Sequence, residues 1–216
     1  MYNLFVRNME TVFDKLLNRS SYKDRFLNNK SLPKKYYRFP LCNISAELGL
    51  NEKIKLDGGS YERCKIGTAQ IIELEYDIKT TFDSALVNST QNKELWNWIK
   101  SWHLKNPVAT LNKQKPGQLY PFHLDGMESY DKIIPDINEK KEKVKRVFIF
   151  LNDWSPGQIV MLGTKLCMNW KKGDVLWFDW YHVPHGTVNF SRNDRYLLQV
   201  TGETTPAFEK LIKNSV

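Results

Sequence analysis

Residues 146–201 read RVFIFLNDWSPGQIVMLGTKLCMNWKKGDVLWFDWYHVPHGTVNFSRNDRYLLQVT, and this stretch decides the fold. Short runs rich in apolar residues, at 146–152, 158–162, 164–170, 174–180, 185–190 and 195–201, are separated by Ser155-Pro156-Gly157, Gly163, Lys172-Gly173-Asp174 and Asn193-Asp194. Runs this brief, rich in β-branched and aromatic residues and bounded by turn formers, read as strands. Working outward, two more runs at 107–113 and 118–124, parted by Pro116-Gly117, extend the series towards the N-terminus. Such regularly spaced short strands predict a mainly β jelly roll with flanking helices.

The first half of the chain has a different texture. Leu95, Trp98, Ile99 and Trp102 recur at helical spacing, as do Phe5, Met9, Val12, Phe13 and Leu16, so two amphipathic helices are expected. Ile72, Leu74, Tyr76 and Ile78 alternate with charged residues, the period of a half-buried strand. Residues 18–60, rich in Asn, Ser, Lys and Pro, read as loops with short elements. With no internal repeat or linker in view, a single domain is expected over 1–216, in which 1–105 supply support elements and 106–203 form the jelly-roll core.

Composition narrows the function classes. Hydrophobic residues at 41% and charged residues at 26%, of both signs, exclude a disordered chain. The net charge of +8 admits a nucleic acid, an acidic surface or an anionic small molecule as partner, but the charges are scattered. The densest run, Glu139 to Arg146, mixes signs and reads as a solvated segment. Three cysteines, Cys42, Cys64 and Cys167, form no C-x-x-C pair and argue for a reducing, cytoplasmic setting without disulfides. Neither a signal-peptide core nor an apolar run near the roughly 20 residues of a membrane span is present, so no membrane partner is expected.

Within Tyr120-Pro121-Phe122-His123-Leu124-Asp125, a histidine and a carboxylate stand two positions apart. On a strand such residues share a face, so both can reach one metal ion. Of the chain's four histidines, His103 ends the tryptophan helix and reads as structural, leaving His182 and His185 as the third ligand. His185 is preferred because it begins a strand behind Pro184, whereas His182 lies in the preceding turn. Two histidines and a carboxylate on one face, with the opposite positions open, make the triad of non-haem Fe(II) oxygenases. Arg195 follows ten residues later at the start of the last strand, where its fork could pair with a carboxylate. The bland alternative is a surface arginine such as Arg192. Asn189 shares the strand face of His185. Tyr120, three residues before His123, points away from it unless a bulge intervenes. Arg146 stands at the head of the apolar run 147–151, where it is either a weak carboxylate-binding candidate or a satisfied sheet-edge residue.

The series His123-x-Asp125, His185, Arg195 resembles the signature of the 2-oxoglutarate/Fe(II)-dependent dioxygenases. The stretch 173–179 with His185-Gly186-Thr187-Val188-Asn189 and Arg195-Tyr196-Leu197 is similar to the prolyl and aspartyl/asparaginyl hydroxylase branches. The similarity spans about residues 115–203. It implies a double-stranded β-helix of cupin-like type, Fe(II), 2-oxoglutarate and O2, with ascorbate as a reductant. It also implies decarboxylation of 2-oxoglutarate to succinate coupled to hydroxylation of a protein side chain or free amino acid. Arg195 would pair with the distal carboxylate. Many members carry a hydroxyl two positions after that arginine, where this chain has Leu197, so Tyr120 or Thr187 would have to supply it. Nucleic-acid demethylating members carry a second arginine at the position of Thr201. Oxidation of nucleic acid is therefore the less favoured alternative, beside a non-catalytic metal-binding jelly roll.

Overall fold

The computed structural model describes Thr81, residues 83–90, 93–125, 130, 133–134, 136–140 and 142–214, and two short strands at 37–38 and 62–63. The helix expected over 5–16 and the strand expected over 72–79 lie outside the described residues, as does most of 18–60. In chain order the strands are β1 (Tyr37–Arg38), β2 (Glu62–Arg63), β3 (Asp83–Val87), β4 (Lys105–Gln114), β5 (Leu119–His123), β6 (Val144–Phe150), β7 (Gln158–Leu162), β8 (Lys165–Cys167), β9 (Val175–Phe178), β10 (His185–Asn189) and β11 (Arg195–Glu203). The helices are α1 (Lys93–Lys100), α2 (Ile137–Lys140) and α3 (Pro206–Asn214).

Two antiparallel sheets form the jelly roll: β1-β9-β6-β11-β4-β3-β2 and β5-β10-β7-β8. The sequence of β6 explains why it is central. Phe148 and Phe150 pack towards Val160, Leu162, Trp170, Phe178 and Trp180. Val147, Ile149 and Leu151 join a second cluster with Leu95, Ile99, Trp102 and Phe208, contributed by and around α1 and α3. Both faces of the strand are covered, so its apolar run does not alternate with polar residues. In β11, Tyr196, Leu198 and Val200 belong to the helix-side cluster, while Arg195, Leu197 and Gln199 line a cavity between the sheets. Thr205 caps α3, accepting a hydrogen bond from Phe208 N at 3.2 Å, and Pro206 opens the helix. No helix among the described residues is long and apolar enough to cross a membrane.

The pairing of β5 with β10 is the irregular part. His185 stands opposite His123, yet Thr187, two residues on, stands opposite Tyr120, three residues back. The extra residue in β5 is a bulge, and it returns Tyr120 to the face that carries His123. Gly186 makes this approach possible: a Cβ there would lie 3.1 Å from Phe122 Cα, Phe122 N and Tyr120 O.

The turn into β10 is fixed by Asp179. Its Oδ1 accepts from Tyr181 N at 3.2 Å and His182 N at 3.3 Å, and Oδ2 accepts from His182 Nδ1 at 2.9 Å. Burial pushes the carboxyl up, but the hydrogen bond from His182 and the charge of Lys145 outweigh it and hold Asp179 below its ordinary value.

Gly186→Ala is expected to lower unfolding free energy by about 1–3 kcal/mol in urea titrations, because backbone on both strands must give way. Asp179→Asn should cost about 1–3 kcal/mol at pH 7. A depressed folded-state pKa contributes stability above the unfolded carboxylate value and loses it as pH falls through the folded one. The gap between Asp179→Asn and the parent should therefore close below about pH 4 in thermal melts.

Candidate metal centre

His123 and His185 are neighbours across the β5–β10 ladder, with ring centroids 4.3 Å apart. Each ring is oriented from behind. His123 Nδ1 lies 2.8 Å from Pro121 O, and His185 Nδ1 lies 3.0 Å from Val183 O. A carbonyl only accepts, so each Nδ1 carries a proton, which leaves Nε2 as the nitrogen through which either ring could bind a metal. These nitrogens face Asp125: His123 Nε2 is 3.5 Å from Oδ1 and His185 Nε2 is 3.3 Å from Oδ2. Burial, then the neighbouring His123, pushes the His185 pKa down despite the opposing pull of Asp125, so this ring stays neutral.

Three lone-pair donors thus converge, all within 4.8 Å of one another. Left alone they repel; a cation between them removes the conflict. Two imidazole nitrogens and one carboxylate oxygen, with backbone carbonyls behind both rings, fit a divalent transition metal. Asp125 itself lies two residues beyond the end of β5 rather than on the strand.

Arg146, the third residue of β6, meets this carboxylate. Its Nη1 ion-pairs with Asp125 Oδ2. Nη2 donates to Tyr130 Oη at 2.6 Å and Nε to Thr201 Oγ1 at 3.1 Å. The guanidinium carbon lies 4.8 Å from the Trp180 ring centroid and 5.7 Å from that of Tyr130. The sequence reading offered Arg146 to a carboxylate of substrate or co-substrate; the structure commits it to the protein's own Asp125. Burial alone would push the Asp125 carboxyl up, but the Arg146 guanidinium beside it holds the group well below the carboxylate range.

Arg195 is the opposite case. Its residue is 2% exposed, its Nε has no hydrogen-bond partner, and Nη1 reaches only Ile159 O at 3.3 Å. No carboxylate pairs with it among the described residues, and burial pushes its pKa down to about 9. A buried cation without a counter-charge is costly. It lines the same cavity of about 80 Å³ as the three donors. Tyr120 and Thr187 line it too, the former through the bulge, and Thr187 Oγ1 accepts from Gln114 Nε2 at 3.2 Å.

Asn189 does not reach the cavity. Its Nδ2 donates to Gln114 O at 2.8 Å and Asn193 O at 2.9 Å, and its Oδ1 accepts from Ser191 N and Oγ. The side chain is spent on the β10–β11 turn, so the expectation of a cofactor contact there is corrected. His182 also stays off the cavity wall, held by Asp179. Residues missed from sequence include Gln114, whose Oε1 is buried without a partner, Asn112, Gln199 and Tyr130. The alternation of Thr110, Asn112 and Gln114 with Ala109 and Leu111 in β4 carried that signal.

No protein-family model matches the chain, and no curated protein matches it in sequence. Among solved structures it is similar to a Pseudomonas putida prolyl-4-hydroxylase, at 15% identity and a TM-score of 0.44 over 59% of this chain and 75% of that one. An RmlC-like cupin from Desulfovibrio desulfuricans is similar at 15% identity and a TM-score of 0.35 over 57% and 84% of the two chains. A predicted oxalate decarboxylase from Thermotoga maritima gives 15% identity and a TM-score of 0.36 over 57% and 81%.

Proposed function

We propose that the chain is an Fe(II)-dependent oxygenase that consumes 2-oxoglutarate and hydroxylates a protein side chain or a free amino acid. The observation that carries this reading is the placement of a buried guanidinium, with no counter-charge among the described residues, in the cavity into which three lone-pair donors converge. His123, Asp125 and His185 would hold the iron, which when bound supplies the redox chemistry coupling O2 and 2-oxoglutarate to C–H hydroxylation, with succinate and carbon dioxide as co-products.

The chain's own residues account for the rest. Arg195 binds the distal carboxylate of the dicarboxylic acid and gains the counter-charge it lacks. Gln114 from the larger sheet and Thr187 and Tyr120 from the smaller one line the same cavity to complete its hydrogen bonding, in place of the hydroxyl missing at Leu197. Leu197 and Phe148 give the cavity apolar surface that limits water beside the ligand. Asp125, held ionised, remains a ligand across the neutral pH range.

Succinate formation from 2-oxoglutarate under Fe(II) and ascorbate tests the reading, with peptides and amino acids screened for stimulation. His123→Ala, Asp125→Ala and His185→Ala should each abolish turnover, and His182→Ala should leave most of it. Arg195→Ala should raise the 2-oxoglutarate requirement roughly 10- to 100-fold, the loss of a charge-assisted contact. Stimulation by oligonucleotides, with salt-dependent binding, would move the substrate to nucleic acid. Metal binding with no succinate under any condition would make the chain a non-catalytic binding module and sink the proposal.

A further inference from the structure

We infer that Arg146 is a positioning residue that makes Asp125 a one-oxygen metal ligand, an inference that rests on the metal-centre reading above. Asp125 lies beyond the end of β5, so no strand fixes its direction. Its partner is fixed on every side. Arg146 sits in β6 of the larger sheet, opposite Thr201 of β11 in the register, and hydrogen-bonds that hydroxyl through Nε. Tyr130 Oη holds Nη2, and the aromatic rings of Trp180 and Tyr130 flank the guanidinium plane. The residue is 4% exposed. The ion pair with Asp125 therefore ties the smaller sheet's metal strand to the rigid centre of the larger one.

The consequence falls on the two carboxylate oxygens. Oδ2 is engaged by Nη1 and also lies 3.3 Å from His185 Nε2, while Oδ1, 3.5 Å from His123 Nε2, has no contact with the guanidinium. The guanidinium competes with an ion for the lone pairs of Oδ2 and leaves both lone pairs of Oδ1 free for it, which favours ligation through Oδ1. The same engagement explains why Arg146 is not a substrate anchor: each of its nitrogens already serves Asp125, Tyr130 or Thr201.

The test is equilibrium binding of Mn(II) and Co(II) to the full chain without 2-oxoglutarate, followed by Mn(II) paramagnetic resonance and the Co(II) visible spectrum. Arg146→Gln should weaken Mn(II) binding roughly 10- to 100-fold, the range for loss of an outer-shell partner, and change the shape of the Co(II) spectrum. Arg146→Lys should recover part of the affinity and the parent spectrum. Tyr130→Phe and Thr201→Val, which each remove one support of the guanidinium, should weaken binding in the same direction by less, and they serve if Arg146→Gln does not fold. Parent-like affinity and spectrum in Arg146→Gln, or in both milder variants where it does not fold, would overturn the inference while His185→Ala still loses the metal. Failure of the parent protein itself to bind Mn(II) or Co(II) would instead remove the metal centre on which the inference stands.

Discussion

Antiparallel pairing of β5 with β10 sets His123 beside His185, and nearly every feature of the site follows from that contact. Two imidazoles on adjacent strands have their reactive nitrogens within a few ångströms only if the strands are in this register; a slip by one residue would send one ring to the opposite face. The bulge does a second task in the same place. It adds a residue without losing the histidine pair, so Tyr120 joins the cavity wall. Pro121 suits the spot because an irregular ladder position does not call for its missing N–H, and its carbonyl orients the His123 ring.

Electrostatics divide the cavity into a satisfied half and an unsatisfied half. Arg146 and Asp125 neutralise each other and are wedged among aromatic rings. Arg195 has no such partner among the described residues and is nevertheless as deeply buried. A buried charge of this kind is costly, and an anion entering the cavity would offset it.

Much of the core was legible because its strands are short and end in turn formers: the expected run 158–162 coincides with β7, and 185–190 differs from β10 by one residue. The alternation of helical and strand spacing also gave α1 from its leucine, isoleucine and tryptophans. The helix α3 was not anticipated, although Thr205-Pro206 is a capping signal, because a nine-residue helix offers few turns of periodicity. Histidine and carboxylate spacing pointed to the three donors that the fold brings together, whereas the bond between Arg146 and Asp125 joins positions whose proximity only the closed sheets create. Asn189 was misread for a related reason: it does lie on the His185 side of β10, but at the strand's end, where an adjoining turn claims its amide. The bulge was named as the condition for Tyr120 to enter, and a one-residue irregularity leaves no mark in apolar patterning.

The strand order carries a kinetic consequence. β11 pairs with β4, about 90 residues earlier in the chain (for example Leu198 with Leu111), and β10 pairs with β5 across a gap of 62 (185 − 123). Loops of that size must close before any such contact is rewarded, which makes long-range sheets slow to assemble. The histidine pair consequently cannot form until β5 and β10 have closed that gap. A nascent chain that has not closed this gap therefore holds no cluster of three donors, and the candidate metal centre is a property of the paired strands.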